Sequence, residues 1–198
     1  MNDRFRVPDA LALSMDFLKS MKKSKDLPRE QLEEWASRAI HIGEEEAKNY
    51  ANTDILSQVK KEHIRIELQE GGVFGNNLLR ALYDDTVKSI VIYKQGLESV
   101  LETPAADILG IENSREKIME VLVCHEYFHY IELSKRGLVG ENFKLDQKVL
   151  WFQTQKPVYY VSEISANAFA QKVLNLKENP FVFDYLLHHQ ELWKESDL

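Results

Sequence analysis

The sequence predicts an α+β fold, mainly helical, in which a small sheet of roughly three strands, antiparallel or mixed, packs on one buried helix. Three observations carry that expectation. Apolar residues recur at helical spacing through both ends of the chain; short stretches in the middle have strand patterning with turn residues between them; and residues 114 to 135 are apolar around most of a helical circumference. That last stretch contains the order His125-Glu126-Tyr127-Phe128-His129.

Length and composition set the frame. With 198 residues, 44% hydrophobic and 29% charged, the chain suits a globular domain with a sizeable core and an appended helical segment. The expected division is an N-terminal helical extension, residues 1–52, packed on a main domain, residues 53–198. A net charge of −7 argues against nucleic acid as a direct partner, because phosphate binding needs a clustered basic surface. Cys124 is the single cysteine, which excludes an internal disulfide, a Cys-rich zinc ribbon and a Cys-x-x-Cys redox pair. The first residues lack a signal-peptide apolar core, and no stretch approaches the length of a membrane span, so the expectation is a cytoplasmic protein without a membrane partner.

In chain order, Leu11, Met15 and Leu18 space a helix over 9–22, and Pro28 breaks it from a second over 29–50 with Trp35, Ala39, Ile42 and Ala47 inward. His41 and Glu45 stand one turn apart there and read as a surface pair, and the Glu44-Glu45-Glu46 run reads as solvated. Asp54 to Lys61 is a short amphipathic helix leading into the alternating strand His63 to Leu68. Gly71-Gly72 and Gly75-Asn76-Asn77 are turns. Leu78 to Tyr83 and Val87 to Tyr93, joined through Asp84-Asp85, read as an antiparallel pair. Thr103-Pro104 starts a short helix that Gly110 ends. Asn113 with Glu116 reads as a capping box for the helix over 114–135, which Lys135-Arg136-Gly137 stops. Residues 138–157 read as a polar, irregular loop or cleft wall apart from Val149-Leu150-Trp151-Phe152. Helices follow over 161–174 and after Pro180.

On a helix, residues four apart lie one turn above each other, so His125 and His129 point the same way and can share one metal ion, with Glu126 beside it. That is the arrangement for zinc-assisted hydrolysis: two imidazoles and a third side chain hold Zn²⁺, and the glutamate takes a proton from water. The structural alternative is a pair of core histidines satisfied by hydrogen bonds. A third His six residues after His129 is absent, since Lys135 stands there, and Cys124 points roughly 100° away from His125. An acid from a following helix remains. Glu163 is best placed, because Ser162, Ser165, Ala166, Ala168 and Ala170 permit close helix approach, although acids are plentiful and position alone does not single it out.

The string Ser162-Glu163-Ile164-Ser165-Ala166-Asn167-Ala168-Phe169-Ala170, after a His-Glu-x-x-His helix, resembles the ImmA/IrrE-type zinc metallopeptidases, in which Glu-x-x-Ala-Asn-x-Phe-Ala supplies the third ligand. The resemblance covers roughly residues 53–180. It implies one Zn²⁺ held by His125, His129 and Glu163, with Glu126 as the catalytic base, and cleavage of a specific regulatory protein or peptide. A helix-turn-helix repressor of a mobile element or stress response is the implied substrate type. Asn167, Tyr159 and Tyr160 are candidates for supporting a ligand or touching substrate, and an extended substrate is expected along the sheet edge beside Ile90 to Tyr93. The departures are Tyr127-Phe128 in place of an aliphatic and a small residue, Cys124, and a long 137–158 segment. They bear on the shape of the cleft and on activity, and the competing reading is a catalytically inactive protein-binding module of the same fold.

Overall fold

The computed structural model describes residues 6–75, 77–149 and 152–194. Its centre is α6 (Arg115–Ile131), and the expected α+β class holds: a small mixed sheet and a set of helices surround this helix. Val121, Val123, Cys124, Tyr127, Phe128 and Ile131 are at most 1% exposed, so α6 buries almost its whole circumference. The helix begins one residue later than the capping box suggested. Ser114, not Asn113, is the N-cap, and its hydroxyl accepts from the Lys117 N–H. At its far end the helix widens into a turn of π-helix, Glu132–Arg136, stopped by Gly137 at φ +85°, a backbone region that favours glycine. Leu133, within that turn, is 51% exposed and so is not part of the buried stripe.

The sheet packs on α6. β5 (Ser89–Tyr93) is its middle strand, parallel to β1 (Arg65–Gln69) and antiparallel to β4 (Ala81–Asp84). Ile90 and Ile92 are fully buried and pair with Tyr83 and Ala81, also buried. β4 starts at Ala81 and not at Leu78, because Leu78 is spent in a separate small hairpin of β2 (Val73–Phe74) and β3 (Asn77–Leu78). The Leu79 N–H then bonds to the Gly72 carbonyl at 2.7 Å before the chain turns into the main sheet. Asn76 lies outside the described residues.

Before the sheet come α1 (Ala10–Ser20), α2 (Arg29–Ala47) and α3 (Ile55–Lys61), capped at their starts by Asp9 (α1) and Asp54 (α3). Two short helices, α4 (Lys94–Leu101) and α5 (Ala105–Leu109), lead into α6; α4 was not expected. Residues 138–157 are not an irregular loop. They carry the antiparallel pair β6 (Lys144–Val149) and β7 (Phe152–Pro157), whose polar residues run consecutively on a hairpin that, among the described residues, pairs with no other strand, so the alternation of a half-buried sheet is missing. Leu150 and Trp151 lie outside the described residues.

The chain closes with α7 (Ser162–Val173), α8 (Val182–His188) and α9 (Glu191–Lys194). α7 crosses α2 closely at Gly43, where an added Cβ would lie 2.1 Å from the Ser165 carbonyl oxygen. The Ser165 hydroxyl donates to the Ala39 carbonyl at 2.7 Å across the same crossing. Glu44 and Glu46 are therefore not simply solvated: Glu44 pairs with Lys172 at 3.2 Å and Glu46 with Arg136 at 3.4 Å, tying α2 to its neighbours. Among the described residues no helix is long and apolar enough to cross a membrane.

Candidate metal centre

Two helices bring the donors together. α6 points His125 and His129 toward the N-terminal turn of α7, which carries Glu163. His125 Nε2 lies 3.3 Å from His129 Nε2 and 3.2 Å from Glu163 Oε2, and His129 Nε2 lies 3.4 Å from Glu163 Oε1. Four-coordinate zinc with ligands about 2.0–2.1 Å away places neighbouring donors roughly 3.3–3.4 Å apart. The spacing therefore fits one small divalent cation, and these three residues form a group able to hold a metal ion.

Each imidazole is oriented from behind. His125 Nδ1 lies 3.2 Å from Asn167 Oδ1, and the Asn167 amide donates to the Glu163 carbonyl at 3.0 Å. With the amide so turned, Oδ1 can only accept, which puts the His125 proton on Nδ1 and frees Nε2 for the centre. Behind His129, Nδ1 faces Glu132 Oε2 at 3.1 Å and Ser162 Oγ at 3.2 Å.

Charge is concentrated here. Burial pushes the His129 imidazolium down, but Glu163, Glu132 and Glu126 together outweigh it and raise its pKa to about 9. Burial pushes Glu163 up, and His129 and His125 outweigh that, bringing it down to about 2. Glu126 differs. Burial raises its pKa, and the neighbouring histidines and the Tyr83 N–H only partly offset this. It is 7% exposed, and one oxygen, Oε2, accepts from the Tyr83 N–H at 2.8 Å.

The centre lies between two hollows. One, of about 410 Å³, is lined by Ala81, Leu82, Leu133 and Tyr159 beside His129 and Glu163. The other, of about 130 Å³, lies on the His125 and Asn167 side and includes Phe17, Arg80 and Phe181. β4 runs past both as an edge strand, because β5 lies in the middle of the sheet. The edge that an extended ligand can reach is thus Ala81 to Asp84, not Ile90 to Tyr93, whose backbone is taken by strands on both sides.

Of the residues read from the sequence, His125, His129, Glu163, Glu126 and Asn167 come together. Tyr159 stands half exposed on the wall of the larger hollow. Tyr160 does not join them: its ring packs edge-on against Phe17 of α1, 6.4 Å between centroids, since consecutive residues at a helical start face different ways. His41 and Glu45 are an exposed pair, 3.9 Å apart. Sequence reasoning missed Glu132, Ser162 and the Tyr83 N–H. Glu132 had a signal, being three residues after His129 on one helical face; the other two depend on tertiary placement.

No protein-family model matches the chain, and no solved structure does. A coproporphyrin III ferrochelatase of Nocardia farcinica (strain IFM 10152) is 29% identical over 107 residues, which is 52% of this chain and 28% of that protein. The chain thus spans little more than a quarter of the curated relative's length.

Proposed function

We propose that this protein is a zinc-dependent metallopeptidase of the ImmA/IrrE type that cuts a peptide bond in a specific regulatory protein. The observation that carries the reading is the convergence of His125 Nε2, His129 Nε2 and Glu163 within 3.2–3.4 Å, with Glu126 next in sequence to a ligand. Two imidazoles and a carboxylate, with room for a fourth position on the side of the hollows, are the donor set of a catalytic zinc site. A zinc ion held there supplies Lewis acidity toward a peptide carbonyl and toward water.

The chain's own residues do the rest. Glu126 is anchored through Oε2 by the Tyr83 N–H, which leaves Oε1 to accept a proton from the attacking water and pass it to the departing amine. Burial raises its pKa, so the protonated form is accessible for the second transfer. An extended substrate adds along the outer edge of β4, beside the Tyr83 N–H that Glu126 already takes, with side chains alternating between the sheet and the hollows. This favours an unfolded segment of a regulatory protein, a helix-turn-helix repressor being the type the family resemblance implies.

Glu126→Gln tests the reading. It is expected to keep the metal and abolish a defined cut in a candidate repressor. A binding module without catalysis would be indifferent to that change, so partner capture equal in both forms with no cut in either would support that alternative. The likeness to part of a ferrochelatase suggests a second reading, insertion of a metal ion into a porphyrin. Incubation with coproporphyrin III and ferrous iron is expected to yield no metalloporphyrin; formation of one, lost in His125→Ala, would replace the peptidase reading.

A further inference from the structure

We infer that Glu132 is the positioning residue of the metal centre: its buried carboxylate orients His129 and, through Ser162, fixes the turn that presents Glu163. The geometry is that of a node. Glu132 is 4% exposed. Its Oε2 faces His129 Nδ1 at 3.1 Å and accepts from the Ser162 hydroxyl, while Oε1 accepts from the Val139 N–H at 2.7 Å. Both oxygens are therefore engaged, and the partners come from three separate segments: the end of α6, the 3-10 turn Val139–Asn142 and the first residue of α7.

Two consequences follow from that wiring. A carboxylate behind Nδ1 keeps the proton there and the Nε2 lone pair toward the centre, and it makes the imidazole a better donor. His125 has a neutral amide at the equivalent position, so the two ligands are backed unequally. Ser162 immediately precedes Glu163, so its bond to Glu132 sets where the third ligand sits relative to His129. The π turn at Glu132–Arg136 occurs where this node forms, as such turns often do at functional sites.

The role rests on the metal reading of the centre and not on peptide cleavage. Zinc affinity of the full chain is measured by competition with a chromophoric chelator for wild type, Glu132→Gln and Ser162→Ala, with metal-free melting curves beside each. Glu132→Gln is expected to weaken zinc binding about ten- to a hundredfold and to shift the visible bands of the cobalt(II)-loaded protein, beyond any fall in the metal-free melting midpoint from the lost pairing with His129. Ser162→Ala is expected to weaken zinc in the same direction by less. A purely structural role predicts a lowered melting midpoint alone, with zinc affinity within about twofold of wild type and an unchanged cobalt spectrum, which would overturn the assignment. If Glu132→Gln does not fold, Ser162→Ala decides alone, and unchanged affinity there overturns it. Wild type without zinc binding removes the metal centre itself, a result distinct from either variant's failure.

Discussion

At the scale of single residues, the centre is a balance between burial and charge. In the metal-free protein His129 is held as a cation, with its pKa raised from 6.5 to about 9, and Glu163 as an anion, lowered from 4.5 to about 2. The raised His129 contributes stability that is full below pH 6.5 and lost as pH rises through about 9. The lowered Glu163 contributes stability that is full above pH 4.5 and lost as pH falls toward about 2. Metal-free protein is therefore expected to be most stable, as far as this pair decides it, between pH 4.5 and 6.5. A metal ion bound there must displace the His129 proton, so zinc affinity is expected to rise with pH and level off near about 9. Chelator competition at several pH values checks this, and a flat profile would contradict a protonated His129. Asn167→Ala removes the support behind His125 and is expected to weaken zinc about tenfold or more without releasing it entirely.

At the scale of elements, the crossing of α2 and α7 sets the position of Glu163. Gly43→Ala forces a methyl against the Ser165 carbonyl at 2.1 Å, which the two backbones can relieve only by separating. The expected cost is about 1–3 kcal/mol in chemical denaturation, accompanied by weaker zinc binding because Glu163 moves with α7. A variant of full stability and full affinity would show that the crossing does not matter to the site. The elements also show what the sequence could and could not disclose. α6 and the common face of His125 and His129 on it were legible because a helical period turns spacing directly into a shared face. The order β1-β5-β4 was not, because strand patterning gives each strand's faces but not its neighbours, and so the reachable edge was assigned to β5. The β6–β7 hairpin was hidden for a related reason, its polar residues matching a loop as well as an isolated ladder. Tyr160 was misplaced because nothing local says that α1 lies behind it, ready to receive the ring against Phe17.

At the scale of the whole molecule, the N-terminal helices and the metal centre belong to one core. Leu32, Trp35, Ala36 and Ala39 of α2 are at most 4% exposed and share one buried cluster with Phe128 of α6 and Ile164 and Phe169 of α7. Removal of residues 1–52 is expected to leave a chain without cooperative unfolding, seen as a broad, featureless thermal transition by circular dichroism; a sharp transition would show that residues 53–198 fold alone. A metal ion held by the native fold alone would add to global stability, about 2.7 kcal/mol at a hundredfold excess over the dissociation constant. The most direct test is zinc bound per chain after equilibrium dialysis of wild type and Glu163→Ala. About one zinc per wild-type chain and a large loss in the variant is the expected result. Equal zinc in both, or none in wild type, would contradict a centre built from these two helices.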